Sequence, residues 1–103
     1  MADIFEFAKK EHERQVTHHN VKGESKTKYT MLAKLMEELG ELSEAILTCD
    51  SLQRSDKLEN ARANLEGEFA DVILVALILS QEMNIDVKKA LEEKIEKIIE
   101  RKY

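Results

Sequence analysis

Two clusters of carboxylates carry the chemistry this chain can offer. One is Glu37, Glu38 and Glu41 in "KLMEELGELSEAI"; the other is Glu68 and Asp71 in "EGEFADVILVALILS". Residues three apart on an α-helix lie roughly 60° from one another around the axis, one turn along. Glu38 with Glu41, and Glu68 with Asp71, therefore form acidic pairs on one side of their helices. Asp71 is the one non-apolar position between Phe69 and Leu79. A helix that is apolar all round is central and buried, and a buried carboxylate without a partner is strongly destabilising. Asp71 is accordingly expected to face a cation, either a metal ion or a lysine or arginine. If the two helices pack antiparallel, both pairs converge. Two such charges about 5 Å apart repel by about 3 kcal/mol at an effective dielectric near 20, so four would exceed the stability of a small domain. Converging carboxylates thus imply a hard divalent ion, Mg²⁺ first and Mn²⁺ as a substitute. Gly40 and Gly67, each beside a candidate ligand, are unfavourable in helix interiors and are expected to leave room for a neighbouring helix or a ligand. Because 36% of the chain is charged, Glu37 and Glu44 read more simply as solvated surface, and Glu38 and Glu41 admit that reading too.

The elements that would position these groups are helical. There is no proline, there are three glycines, and Leu, Glu, Lys, Ala and Ile dominate, a composition that favours helix. A first helix is predicted from Ile4 to Val16, with Asp3 as its N-cap, followed by a polar loop, "THHNVKGESKT". A second is predicted from Thr27 or Lys28 to about Thr48, with Leu32, Leu35, Met36, Leu39, Leu42 and Ile46 as its apolar stripe. "CDSLQRS" reads as a loop, with Asp56 and Glu59 capping a third helix that extends to about Met83. "NID" breaks the chain, and Asp86 caps a last helix from Val87 to about Lys102 whose core stripe is Val87, Leu91, Ile95, Ile98 and Ile99. The expected fold is a single all-α, four-helix domain over residues 1–103. The third helix has more apolar surface than a small monomer covers, so a homodimer or homotetramer assembled through it is expected.

Length and charge restrict the function classes. A net charge of −5 argues against binding a nucleic-acid polymer, which needs a basic face. Cys49 is the single cysteine, so no intrachain disulfide forms and a reducing compartment is expected. "MADIFEFAKKEHERQ" lacks the apolar core of a secretory signal, and the run 69–79 is too short to span a bilayer. A cytoplasmic protein with no membrane partner is expected. His12, His18 and His19 are expected in or near an exposed loop, where contact with a phosphate or a base is the minority role. Phe7 and Tyr29 read as core. The Glu-x-x-His pairs of carboxylate-bridged di-iron bundles are missing from both acidic segments.

Glu37-Glu38-x-x-Glu41 followed by Glu68-x-x-Asp71 resembles the EExxE…ExxD signature of the MazG-like, all-α nucleoside triphosphate pyrophosphohydrolases. The surrounding "LAKLMEELGELSEAI" and "EGEFADVILVALILSQEMNIDVKKALEEKIEKIIERKY" resemble that family too. The resemblance implies cleavage of a nucleoside triphosphate between its α and β phosphates, giving the monophosphate and pyrophosphate. It implies Glu38, Glu41, Glu68 and Asp71 as Mg²⁺ ligands, with Glu37 orienting the attacking water or holding a further ion. Lys94 matches a family lysine that holds phosphate or sugar, and Lys97 and Arg101 share its face of the last helix; a solvated, ion-paired surface is the other reading of all three. Ile98 stands where the family commonly has asparagine, a departure that bears on nucleotide preference. Two alternatives stay open: phosphoribosyl-ATP pyrophosphohydrolase activity in histidine synthesis, and a non-catalytic helical module that binds a nucleotide or a partner chain.

Overall fold

The computed structural model describes residues 3–21, 27–52 and 56–101, and these form four helices: α1 (Ile4–Val21), α2 (Lys28–Ser51), α3 (Leu58–Glu82) and α4 (Val87–Glu100). No strand occurs among the described residues, so the all-α expectation holds. Local chemistry sets most of the boundaries. Asp3 Oδ1 accepts from the backbone N–H of Phe5 at 2.9 Å and of Glu6 at 3.3 Å. Thr27 and Thr30 form a reciprocal capping box at the start of α2. Asp86 caps α4 by accepting from Lys89 N–H at 3.1 Å. Three boundaries differ from expectation. α1 continues through Thr17 to Val21, and α2 continues through Cys49 to Ser51, because neither polar stretch contains a residue that stops a helix. The N-cap of α3 is Lys57, in αR geometry without a side-chain cap bond, rather than Asp56. Residues 22–26, 53–55 and 102–103, which include parts of both expected loops and the last helix's expected end, lie outside the described residues.

The turn from α3 into α4 is more defined than "NID" suggested. Asn84 takes a left-handed conformation with φ 56. Its N–H donates to Gln81 O at 3.2 Å, and Ile85 N–H donates to Ser80 O at 3.0 Å. This is a Schellman motif, which satisfies the last carbonyls of α3. With the Asp86 cap immediately following, both ends of the joint are hydrogen-bonded and the direction of α4 is fixed.

α3 is the central helix, as expected, with α2 packed along one side and α1 on another. It is not buried all round: Phe69 and Ile73 are about half exposed, and burial concentrates at Leu77, Ile78 and Ser80. Leu77, Ile78 and Ala8 form the core cluster, with Phe5 and Val87 against it. α2 presents two apolar faces where the sequence read as one. Met31, Ala45 and Cys49 are buried, with Leu35 and Leu42 partly buried beside them. Tyr29, Leu32, Met36, Leu39 and Ile46 lie about 110° further round and are exposed. The expected stripe straddled both. Phe7 and Tyr29 are exposed rather than core. In α4, Val87 meets the core, but Leu91, Ile95, Ile98 and Ile99 are exposed. The expected core stripe of α4 is therefore not covered within one chain.

Gly40 and Gly67 do not mark close approaches inside the chain, because a Cβ built at either meets nothing within 4 Å. Replacing each by alanine should stabilise the chain by about 0.5–1 kcal/mol. Thermal unfolding should then shift upward by about 2–8 °C. Loss of activity alongside that gain would show that a ligand or a second chain uses the space.

Candidate metal centre

Among the described residues the buried carboxylate is Glu38, not Asp71. Glu38 shares the buried face of α2 with Met31 and Ala45 and is 5% exposed, whereas Asp71 is exposed on α3. The reason lies in α2's two faces. Measured from the face that packs on α3, Glu38 is near the centre; measured from the mixed stripe in the sequence, it seemed to sit at the edge. For Asp71 the inference failed because α3 is apolar all round without being covered all round.

Glu38, Glu41 and Glu68 each direct one carboxylate oxygen to a common point, and the three oxygens lie within 4.8 Å of one another. The helix spacing placed Glu38 and Glu41 together, and packing of α2 on α3 brings Glu68 to them. Two oxygens bound to one Mg²⁺ at 2.0–2.1 Å stand at most about 4 Å apart, so side-chain adjustment alone closes the group on an ion. Asp71, one turn beyond Glu68, is not among the three.

Partner groups are scarce. Lys34 Nζ lies 3.0 Å from Glu38 Oε1 and 3.7 Å from Glu37 Oε2. Glu38 Oε2 and Glu68 Oε2 are buried without any hydrogen-bond partner. Buried carboxylate oxygens normally have partners, and a divalent cation is a partner that suits two carboxylates of one cluster. Hydrogen bonding to Glu38 raises the pKa of Lys34 above the ordinary lysine value. Sequence reasoning missed Lys34, although its position four residues before Glu38 was the available signal.

Glu41 records the electrostatic stress of the cluster. The nearby Glu38 charge, then burial, then Glu68 and Glu37 raise its pKa above 4.5, opposed by Lys34. A carboxyl group whose pKa is raised by folding binds its proton more tightly folded than unfolded. Its contribution to stability is present at low pH and is lost as pH rises through the folded-state value. Glu41→Gln should therefore raise the melting temperature of the metal-free protein at pH 7, with the gain vanishing near pH 4. Metal binding by the wild type should release a proton at mildly acid pH, because Glu41 holds its proton more tightly than an ordinary glutamate, and titration calorimetry in two buffers measures it.

The remaining expected site residues stand elsewhere. Glu37 is exposed on α2, paired with Lys34. Lys94, Lys97 and Arg101 are exposed on α4 or at its C-cap, and α4 does not pack along the helices that carry the carboxylates. The chain does not bring these three to the acidic group. His12 is on helix α1, not in a loop, and its Nε2 lies 3.3 Å from Glu82 Oε1, linking α1 to α3. His18 also belongs to α1.

The described residues thus form an all-α domain that gathers three carboxylates from two adjacent helices, a group that could hold a metal ion. Residues 26–103 match the family model described as the MazG nucleotide pyrophosphohydrolase domain, and the chain belongs to that family. Searches of curated proteins and of solved structures returned no match. No helix among the described residues is long and apolar enough to cross a membrane.

Proposed function

We propose that this protein is a Mg²⁺-dependent nucleoside triphosphate pyrophosphohydrolase, acting on a canonical or modified (deoxy)nucleotide in the cytoplasm. The observation that carries the metal is the pair of buried, unpartnered oxygens of Glu38 and Glu68 within the three-carboxylate group. Family membership supports the reaction class. The bound ion supplies charge neutralisation for the triphosphate and acidifies water at neutral pH.

This chain's residues would do the following. Glu38, Glu41 and Glu68 hold the ion, and Asp71 adds a fourth carboxylate by turning toward it from one turn along α3. Lys34, 3.0 Å from Glu38 Oε1, fixes the rotamer of that carboxylate. Glu37, exposed beside the group, orients the attacking water and takes its proton. Water oxygen bonds to the α-phosphorus, the bond from that phosphorus to the bridging oxygen breaks, and pyrophosphate leaves with the bonding electrons. A role for Lys94, Lys97 and Arg101 at the phosphates belongs to the same reading but requires α4 of another copy. A homodimer or homotetramer is accordingly part of it.

A panel of NTPs and dNTPs, assayed for phosphate after added inorganic pyrophosphatase, tests the proposal. Release from at least one nucleotide with Mg²⁺ or Mn²⁺, and none with chelator, is expected. Tight nucleotide binding without turnover would favour the non-catalytic module. Turnover confined to phosphoribosyl-ATP, with rescue of a histidine auxotroph, would assign the alternative enzyme.

A further inference from the structure

On the hydrolase reading, a polyphosphate must approach a point that is itself acidic. Glu38, Glu41 and Glu68 gather there, three negative charges against the two positive charges of a divalent ion. Glu37, exposed beside them, adds another negative charge. A polyanion is repelled by that balance unless a fixed cation faces it. The basic residues that the sequence offered for this task, Lys94, Lys97 and Arg101, stand on α4 or at its C-cap, away from the carboxylates.

Lys34 has the placement they lack. Lys34, Glu38 and Glu41 fall within about 60° of one another around the axis of α2, so Lys34 continues their strip one turn toward the N-terminus. Its Nζ donates to Glu38 Oε1 at 3.0 Å and lies 3.7 Å from Glu37 Oε2, beyond hydrogen-bond distance. An ammonium carries three donors. Glu38 takes one, and the lysine side chain is 47% exposed, so the others are open to a ligand from solvent. The hydrogen bond to Glu38, with the charges of Glu37, Glu38 and Glu41, outweighs burial and raises the pKa of Lys34. The group therefore stays cationic wherever the carboxylates are ionised.

The anchor is as well placed as the ammonium. Glu38 is buried, and its Oε2 has no hydrogen-bond partner while Oε1 holds Lys34. A metal ion and the lysine can use this carboxylate together, one oxygen each, without competing for it.

We propose, building on the hydrolase reading, that Lys34 is a substrate-binding residue whose ammonium, anchored on Glu38 Oε1, contacts phosphoryl oxygens of a metal-bound polyphosphate. Glu38 then serves two partners at once, and α2 alone supplies a cation and two of the carboxylates. The contact involves neither base nor sugar, so it extends to nucleotide and inorganic polyphosphates alike. Lysine acts at phosphate as a point charge, so arginine should substitute in part.

Lys34→Met keeps the stem and removes the charge. Titration calorimetry in the presence of Mg²⁺ should show a non-hydrolysable nucleoside triphosphate binding this variant about tenfold or more weakly than wild type. Inorganic tripolyphosphate should lose as much. Lys34→Gln, neutral but polar, should repeat the loss, and Lys34→Arg should recover part of it. Mg²⁺ alone should bind Lys34→Met as tightly as wild type or more tightly, since a positive charge has left the vicinity of the ligands. A fall in Mg²⁺ affinity that accounts for the whole loss of polyphosphate binding would make Lys34 a support for Glu38 only, and would overturn the proposal. A loss confined to the nucleotide would do the same. None of these titrations involves turnover. A wild type that binds polyphosphate without cleaving it would sink the hydrolase reading alone, and equal binding by wild type and Lys34→Met would sink the role of Lys34 alone.

Discussion

Glu38→Gln should abolish the response of this protein to divalent metal while leaving it folded. On the proposed reading, Mg²⁺ or Mn²⁺ binds the native arrangement of Glu38, Glu41 and Glu68, which the unfolded chain does not hold. A metal concentration of 100 times the dissociation constant stabilises by about 2.7 kcal/mol, which for a chain of this size raises the melting temperature by about 10 °C or more. Glu38 is the ligand with the greatest leverage. It is the buried member, it has one oxygen on Lys34 and the other unpartnered, and its charge is the largest cause of the raised pKa of Glu41. Glutamine keeps the shape and removes the charge. Two opposing changes follow in the metal-free protein: relief of repulsion at Glu41, and loss of the charged partner of Lys34. Their near cancellation should leave the metal-free melting temperature little changed, so loss of the metal-induced shift reads ligation alone. Turnover should fall by on the order of a hundredfold or more, beyond the cost typical of mutating a group that merely supports a ligand. Differential scanning fluorimetry with and without metal, beside the nucleotide assay, checks both parts. A full metal-induced shift in Glu38→Gln would place the ion elsewhere.

The parts of this fold that were legible in the sequence are those fixed by local chemistry. Helix class, the Asp3, Thr27 and Asp86 starts, and the end of α3 follow from caps and composition, and each is seen. The i, i+3 spacing likewise placed Glu38 beside Glu41. What was not legible depends on which neighbour covers which face. Periodicity shows that a face is apolar but not whether this chain or another buries it, and so two faces of α2 merged into one stripe. For the same reason the face of α4 read as core, although Ile99 is 77% exposed. Asp71 was misplaced by this logic, because a non-apolar residue in an apolar run is buried only if the run is. Glu38 was underrated by it, since Leu39 and Met36 drew the apparent stripe away from the face that α3 covers. The Schellman turn was hidden because "MNID" signals a break without specifying its geometry, and a non-glycine residue at positive φ is uncommon.

Asp71→Asn should separate catalysis from stability more sharply than any other single change. The family motif matches Asp71 as the last carboxylate, yet its side chain is exposed and stands outside the three gathered oxygens. An exposed substitution that breaks no contact stays within about 0.5 kcal/mol, so the metal-free melting temperature should move by no more than about 4 °C. Activity should nevertheless be lost, because on the proposed reading Asp71 contributes its carboxylate once metal and triphosphate are bound. That conditional role predicts an intermediate metal response: Asp71→Asn should retain part of the metal-induced thermal shift that Glu38→Gln lacks. On the proposed reading three carboxylates leave coordination positions open on an octahedral divalent ion, and Asp71 fills one only once the triphosphate is bound, so the deficit should be largest in the ternary complex. Titration of a non-hydrolysable triphosphate in the presence of Mg²⁺ should therefore show weaker binding to Asp71→Asn than to wild type. Binding of Mg²⁺ alone should change less. The opposite order, with Mg²⁺ affinity lost outright and no further loss on adding nucleotide, would make Asp71 a resident ligand from the start. It would also require α3 to rotate that side chain inward before substrate arrives, a rearrangement that amide exchange across residues 68–75 would reveal.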